Sequence, residues 1–261
     1  MGLSLVDSHC HLDLLDLKRL GTDLQGVVEE ARRQGVERIL CVCIELERFP
    51  RVLELARSLP GVRATVGVHP NVRQGRDPSV EELVALAADP AVVGIGETGL
   101  DYYRSQGDLG WQQERFRRHV RAALETGKPL VIHSREATED TLRILREEGG
   151  GRVPGVLHCF TGDQAMAEAC LELGLHISFS GILTFTNAEP LRQVARSIPA
   201  DRLLVETDAP YLTPVPVRGR PNQPAHVRHV AERLAEVRGE SLEEVAAATT
   251  ANYRRLFLKE A

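Results

Sequence analysis

The chain has 261 residues, 43% hydrophobic and 26% charged, with a formal net charge of −5. This balance fits a soluble globular protein with a core of its own and excludes one that coats duplex nucleic acid through many Lys and Arg contacts. A phosphodiester substrate stays open, because bound divalent cations supply positive charge that residue counting misses.

The Met1-Gly2 start lacks the basic and long apolar segments of a signal peptide, and the Ser or Thr at residue 6 that favours myristoylation. No apolar run is long enough to span a bilayer. Short apolar runs then alternate with longer amphipathic stretches. The runs are 3–7, 38–43, 63–68, 92–96, 130–133, 155–158, 175–180 and 202–206, many rich in Val, Ile and Leu. Buried parallel strands, covered on both faces, have this look. Helices are predicted over 23–34, where Leu24, Val27, Val28 and Ala31 fall at helical spacing, and from near 47 to the stop at Pro60-Gly61. Ser79 reads as an N-cap ahead of Glu81-Glu82; further helices follow over 112–125, 138–148, 164–173, 189–197, 226–238 and about 241–258. Gly127, Gly149, Gly150, Gly151, Gly174 and Gly239 stand where helices end.

Eight strand–helix units without a linker-like break point to a single α/β domain over 1–261, a (β/α)8 TIM barrel; a doubly wound sheet shares the alternation. The longest loops, 67–78, 99–110 and 208–224, each follow a strand. In a barrel that places all three on the C-terminal face, where active sites are built.

The first run leads into Asp7-Ser8-His9-Cys10-His11. Strand side chains alternate, so His9 and His11 face the same way and can chelate a divalent metal. Glu97 follows the fourth run, His133 closes the fifth, His158 the sixth, and Asp208 sits just past the eighth. Scattered structural histidines have no reason to gather at strand ends, whereas a barrel brings those ends to one mouth. Four imidazoles and two carboxylates exceed one tetrahedral site and suit two divalent ions. Glu97 is the natural bridge, one oxygen to each. Imidazole favours Zn, while carboxylates and a phosphate substrate accept Mn or Mg.

His69, after the third run, is read as a substrate or second-layer contact, with a ligand role or a satisfied loop histidine as alternatives. His119, His176, His226 and His229 are read as structural or solvated. Arg135, Arg218 and Arg220 are candidate anion contacts, because guanidinium forks suit phosphate oxygens. Gly94-Ile95-Gly96-Glu97-Thr98-Gly99 matches GxGxxG. A dinucleotide site needs a helix opening at that loop, and Glu97 would set negative charge among the phosphate-binding glycines. No organic cofactor is therefore expected. The five cysteines, Cys10, Cys41, Cys43, Cys159 and Cys170, are odd in number with no CxxC pair; free thiols and a cytoplasmic location are expected. Cys41 and Cys43 share a face of the second strand and are expected as small apolar packing inside the barrel.

Asp7-Ser8-His9-Cys10-His11-Leu12-Asp13, Val66-Gly67-Val68-His69-Pro70 and Gly96-Glu97-Thr98-Gly99-Leu100-Asp101-Tyr102-Tyr103 occur in that order, followed by Leu157-His158-Cys159-Phe160, Glu206-Thr207-Asp208-Ala209-Pro210-Tyr211 and Arg218-Gly219-Arg220-Pro221-Asn222. Together they resemble the TatD family of metal-dependent deoxyribonucleases over nearly the whole chain. The resemblance implies a TIM-barrel hydrolase with one metal on His9, His11, Glu97 and Asp208 and a second on Glu97, His133 and His158. Two positions depart from the family pattern: Thr98 stands where Ile is expected and His119 where Gln is expected.

The expected activity is metal-dependent hydrolysis of phosphodiesters, as a 3′-to-5′ exonuclease on single-stranded DNA ends. Asp208 would act as ligand and general base, with Glu206 and His69 next in line, and Glu97 as the shared catalytic carboxylate. Arg135, Arg218 and Arg220 would hold phosphate oxygens; Tyr102, Tyr103 and Phe185 would stack on a terminal base. The alternative is an ester or amide hydrolase such as a D-aminoacyl-tRNA deacylase, since the same activated water attacks a carbonyl. A binding protein with a degenerate site is disfavoured because all six candidate ligands are present.

Overall fold

The computed structural model describes residues 3–150 and 153–260; the Met1-Gly2 start and Gly151, both read above, lie outside them. Eight parallel strands follow one another around a single sheet. They are β1 (Leu5–Cys10), β2 (Val36–Cys41), β3 (Val62–Val66), β4 (Val92–Asp101), β5 (Leu130–Arg135), β6 (Gly155–Leu157), β7 (His176–Phe179) and β8 (Leu203–Val205). Helices α1 (Leu24–Arg33), α2 (Phe49–Ser58), α3 (Val80–Ala87), α4 (Gly110–Thr126), α5 (Thr138–Gly149), α6 (Gln164–Glu172), α7 (Glu189–Ser197) and α8 (Val227–Arg238) return the chain between strands, and α9 (Leu242–Tyr253) ends it. This is the (β/α)8 barrel read from the sequence. No helix among the described residues is long and apolar enough to cross a membrane.

Local signals fix the helix ends. Asp23, Ser79 and Asp163 accept hydrogen bonds from the backbone three residues on, and Ser241 with Glu244 closes a capping box. Gly127 and Gly239 cap α4 and α8 in the left-handed conformation.

Two apolar layers hold the barrel. Leu5, Ile39, Val66, Ile132 and Val205 pack outward against helix residues such as Val27, Val52, Leu83 and Val230. Val6, Leu40, Val42, Val93, Val131, Val156 and Leu204 form a second cluster, joined at the barrel's N-terminal end by Tyr253, Leu256 and Phe257. Cys41 and Cys43 belong to the outward layer. The expectation that they line the inside is corrected: Leu40 and Val42 take that face, and alternation turns the cysteines outward. All five cysteines are free.

The seam between β1 and β8 is held differently from the other pairs. Cys10 bridges Ala209, the His11 N–H donates to Ala209 O (2.8 Å) and the Asp208 N–H donates to His9 O (2.9 Å). Below that, the buried Asp7 carboxyl group accepts the Thr207 N–H (2.8 Å) and hydroxyl (2.6 Å), doing with a side chain what a ladder does elsewhere.

β4 differs from expectation by continuing to Asp101. Its register shifts between Ile95 and Thr98, and its glycines allow close backbone approach. A Cβ at Gly67 would lie 2.5 Å from Gly96 Cα, and one at Gly99 (φ +128°) would lie 2.0 Å from His133 O. The GxGxxG glycines therefore serve strand packing; the next helix opens only at Gly110.

Candidate metal centre at the barrel mouth

The sequence places His9 near the end of β1, Glu97 within β4, His133 within β5, and His11, His69, His158 and Asp208 just past their strands. Barrel closure gathers all seven. His9 Nε2 lies 3.3 Å from His11 Nε2, 3.4 Å from Glu97 Oε2 and 3.7 Å from Asp208 Oδ1. His11 Nε2 lies 3.8 Å from Glu97 Oε2 and 3.5 Å from Asp208 Oδ1. A tetrahedral ion with bonds of about 2.0–2.1 Å has ligand–ligand edges of roughly 3.3 Å, so these five separations are close to what a divalent cation would span. The other Glu97 oxygen faces a second set: Oε1 lies 2.9 Å from His158 Nε2, 3.3 Å from His133 Nδ1 and 3.2 Å from His69 Nε2. His9, His11 and Asp208 form one group of donors that could hold a metal, and Glu97 and His133, together with His69, form another.

Outer contacts decide which nitrogen each ring turns inward. His11 Nδ1–H donates to Val42 O (2.9 Å), His133 Nε2–H to Asp101 Oδ2 (3.1 Å) and His158 Nδ1–H to Glu206 Oε1 (3.2 Å). The opposite nitrogens are thereby left facing the cluster, as in ligating histidines generally. His69 is different. Its Nδ1 accepts the Asn71 N–H (3.1 Å), so its Nε2 carries the proton and donates to Glu97 Oε1. That favours the second-layer reading of His69 over a ligand. His9 Nδ1 and Glu206 Oε2 are buried without partners among the described residues.

The charge balance of the cluster is shared between carboxylates and rings. Burial alone would raise Glu97, but the His158 charge and the hydrogen bonds from His133 and His158 outweigh it and hold the carboxyl well below its usual range. Burial opposes protonation of His11 and His158 as well; the hydrogen bond and charge of Asp208, with Glu97, push His11 up to about 9, and Glu97 and Glu206 push His158 well above its ordinary value. Asp208, also buried, is lowered by His11 and His9. This field draws positive charge to the mouth, from protons or from a cation.

Asp101 and Glu206 were not picked out as ring-orienting groups. Glu206 shares the strand face of Asp208 two residues on, a signal that alternation offers. Asp101 had no such signal, since it fell in an expected loop. Nor was the buried polar stripe on α4 recognised. Gln112 Oε1 accepts the Asp101 N–H (3.0 Å), Arg115 donates to His69 O (3.1 Å) and Val72 O (2.7 Å), and His119 Nε2 accepts the Val68 N–H (3.0 Å). Spaced i, i+3 and i+7, these three tie the loops after β3 and β4 to one helix face. His226 and His229 hydrogen-bond Asn222 and Glu232.

At the rim, Arg135 lies over the Tyr103 ring (3.8 Å) and Arg218 over Phe185 (4.2 Å), while Arg220 is exposed. Tyr102 is not free to stack as expected: its hydroxyl donates to Asp140 (2.7 Å) and accepts from Gln113 (2.9 Å). A cleft of about 590 Å³ opens between the loops after β5 and β6, lined by Ser134, Arg135, Thr138, Thr161 and Met166 among others.

The family model described as TatD related DNase matches residues 6–258. The metal-dependent hydrolase YcfH of Escherichia coli K12 is 49% identical over 253 residues, covering 97% of this chain and 95% of its own. The 3′-5′ ssDNA/RNA exonuclease TatD of Salmonella typhimurium is 37% identical over 250 residues, covering 93% and 96%. The crystal structure of the TatD homologue YJJV from E. coli K12 superposes with a TM-score of 0.88 at 31% identity, covering 97% of this chain and 98% of that one. The chain belongs to the TatD family and is a metal-dependent hydrolase.

Proposed function

We propose that this enzyme hydrolyses phosphodiesters with two divalent ions, Zn, Mn or Mg, removing nucleotides from the 3′ end of single-stranded DNA. The observation that carries the reading is Glu97, whose two oxygens face two separate donor sets. His9, His11, Glu97 and Asp208 would hold one ion; Glu97, His133 and His158 would hold the other. Bound there, such a pair supplies Lewis acidity and a readily deprotonated water.

The chain's own residues do the rest. Asp208 Oδ1 faces His9 and His11, leaving the second oxygen to accept the proton of the attacking water. Glu206, Asp101 and Val42 O keep three rings in one tautomer. His69 Nε2–H steadies Glu97. Arg135, Arg218 and Arg220 supply guanidinium to non-bridging phosphate oxygens, which is what turns a general hydrolase toward phosphodiesters; the Salmonella relative's named activity supports the same choice. The whole chain is read as one domain.

The test is a metal-reconstitution screen on 5′-labelled single-stranded DNA, duplex DNA, RNA and D-aminoacyl-tRNA. A 3′-shortening ladder on single-stranded DNA is expected. Turnover of D-aminoacyl-tRNA with no shortening of any nucleic acid would replace this reading with the deacylase one.

A further inference from the structure

Among the described residues four large apolar side chains are more than two-fifths exposed: Tyr103, Leu124, Tyr211 and Val215. Leu124 lies on α4, but the other three sit on loops at the mouth. An isolated exposed tyrosine needs no explanation. Tyr211 differs because its ring is exposed while its backbone is pinned. The Tyr211 N–H donates to Asp208 O (2.8 Å), and the buried Asn222 amide donates to both Tyr211 O and Thr207 O. On the far side Gly181 abuts the next residue: a Cβ there would fall 1.9 Å from Leu212 O. The ring centroid stands 6.1 Å from that of His11. Burial and the Asp208 and Glu97 charges raise the phenol above its ordinary value, so it stays protonated beside the carboxylates.

The neighbouring rings are already engaged. Tyr103 and Phe185 each carry a guanidinium on one face, and Tyr102 is tied to Asp140. Among the described residues Tyr211 has no such cap. An aromatic face beside a hydrolytic centre, on a backbone pinned at both sides, suits a planar ligand with two open faces. Nucleobases stack on such rings with little regard to sequence.

We infer that Tyr211 is the platform on which the terminal, unpaired nucleobase stacks while its phosphodiester lies at the metal centre, making Tyr211 a specificity-determining residue for single-stranded ends. This rests on the nuclease reading above. A base held in a duplex cannot reach the ring without losing its pair, so the platform discriminates by strandedness rather than by base identity.

The experiment compares two single-stranded oligonucleotides differing only at the 3′-terminal nucleotide, normal or abasic, with the metal-loaded enzyme. Wild type should favour the normal end by about tenfold or more in kcat/KM, the size expected of one base–aromatic stack. Tyr211→Ala should bring the ratio close to one, with the loss falling on KM; Tyr211→Phe should keep the wild-type ratio. Independently of metal, a 3′-terminal 2-aminopurine should lose fluorescence on binding metal-free wild type and Tyr211→Phe, but not Tyr211→Ala. Equal cleavage of the two oligonucleotides by wild type would overturn the inference and leave the nuclease reading intact, and so would an unchanged ratio in folded Tyr211→Ala. Cleavage of neither oligonucleotide by wild type would overturn both.

Discussion

The two ends of the barrel are built from the same strands and opposite chemistry. On β5, Val131 lies in the inner apolar cluster and His133 in the candidate metal centre; β6 and the residue after it repeat the step with Val156 and His158, and β8 and the residue after it with Leu204 and Glu206. Two residues along a strand is one face, so each strand changes from apolar to ionisable within a single repeat. At the N-terminal end Tyr253 and Phe257 pack with tilted rings, centroids 5.0 Å apart, over the apolar cluster. At the C-terminal end, carboxylates and imidazoles are buried at the cost of desolvation. The lesson is a division of labour: one end contributes stability, and the other carries groups that cost stability unless a cation joins them.

Mutations should separate the ends. The largest effect is expected for Glu97→Ala, which takes the carboxylate that both donor sets face. Activity should fall below detection and metal analysis should show both positions depleted; two full equivalents of metal would refute the bridge. Asp208→Asn comes next. It keeps the shape and one coordinating oxygen but accepts a proton poorly, so kcat should drop by about 10²–10⁴-fold with little change in melting temperature. A near wild-type kcat would remove the base role. At the other end, Phe257→Ala should cost roughly 3–5 kcal/mol in denaturant unfolding while kcat and metal content in the folded protein stay at wild-type levels. A change in metal content there would break the division between the ends.

Smaller effects sharpen it. Glu206→Gln keeps the volume but weakens the grip on His158, so metal affinity should fall by about 10–100-fold, measured by competition with a chelator. The smallest effect concerns acid. Burial, opposed by the Arg115 carbonyl, lowers His119 to about 4; burial together with the Arg202 charge lowers His176 to about 4. The unfolded chain binds those protons near pH 6.5. Between about 6.5 and 4 the unfolded state thus holds more protons, and stability is lost as pH falls through that window. His119→Gln retains an acceptor for the Val68 N–H without a titrating ring, so it should flatten part of the acid slope. An unchanged slope would remove His119 from the account.

All eight strands, and the gathering of His9, His11, Glu97, His133, His158 and Asp208 at one mouth, were legible because both depend on simple periodicity: apolar runs, and ionisable residues at their ends. What was missed depends on partners brought from elsewhere. Asp101 falls in an apparent loop, and only the pairing of Leu100 and Asp101 with Ser134 and Arg135 makes it strand. The proton on His69 Nε2 follows from a backbone N–H two residues away, and the outward turn of Cys41 from which face α9 and its C-terminal turn cover. Tyr102 and Tyr103 look alike in sequence, yet one hydroxyl meets Asp140 and the other ring meets Arg135.

The seam between β1 and β8 gives the site a history. Asp7 and Thr207 are 200 residues apart in sequence, and the pairing of His9 and His11 with Asp208 waits on the same contact. A chain leaving the ribosome has made Glu97, His133 and His158 well before Asp208 exists. Closing so long a loop is slow compared with local helix formation. Hydrolytic competence therefore becomes a checkpoint on complete synthesis: stalled chains ending before Thr207 should fail to shorten DNA in a coupled translation assay, while release of the full chain should restore it. A hydrolase whose candidate ligands come from both ends of the barrel is thus kept inert until its first and last strands have met.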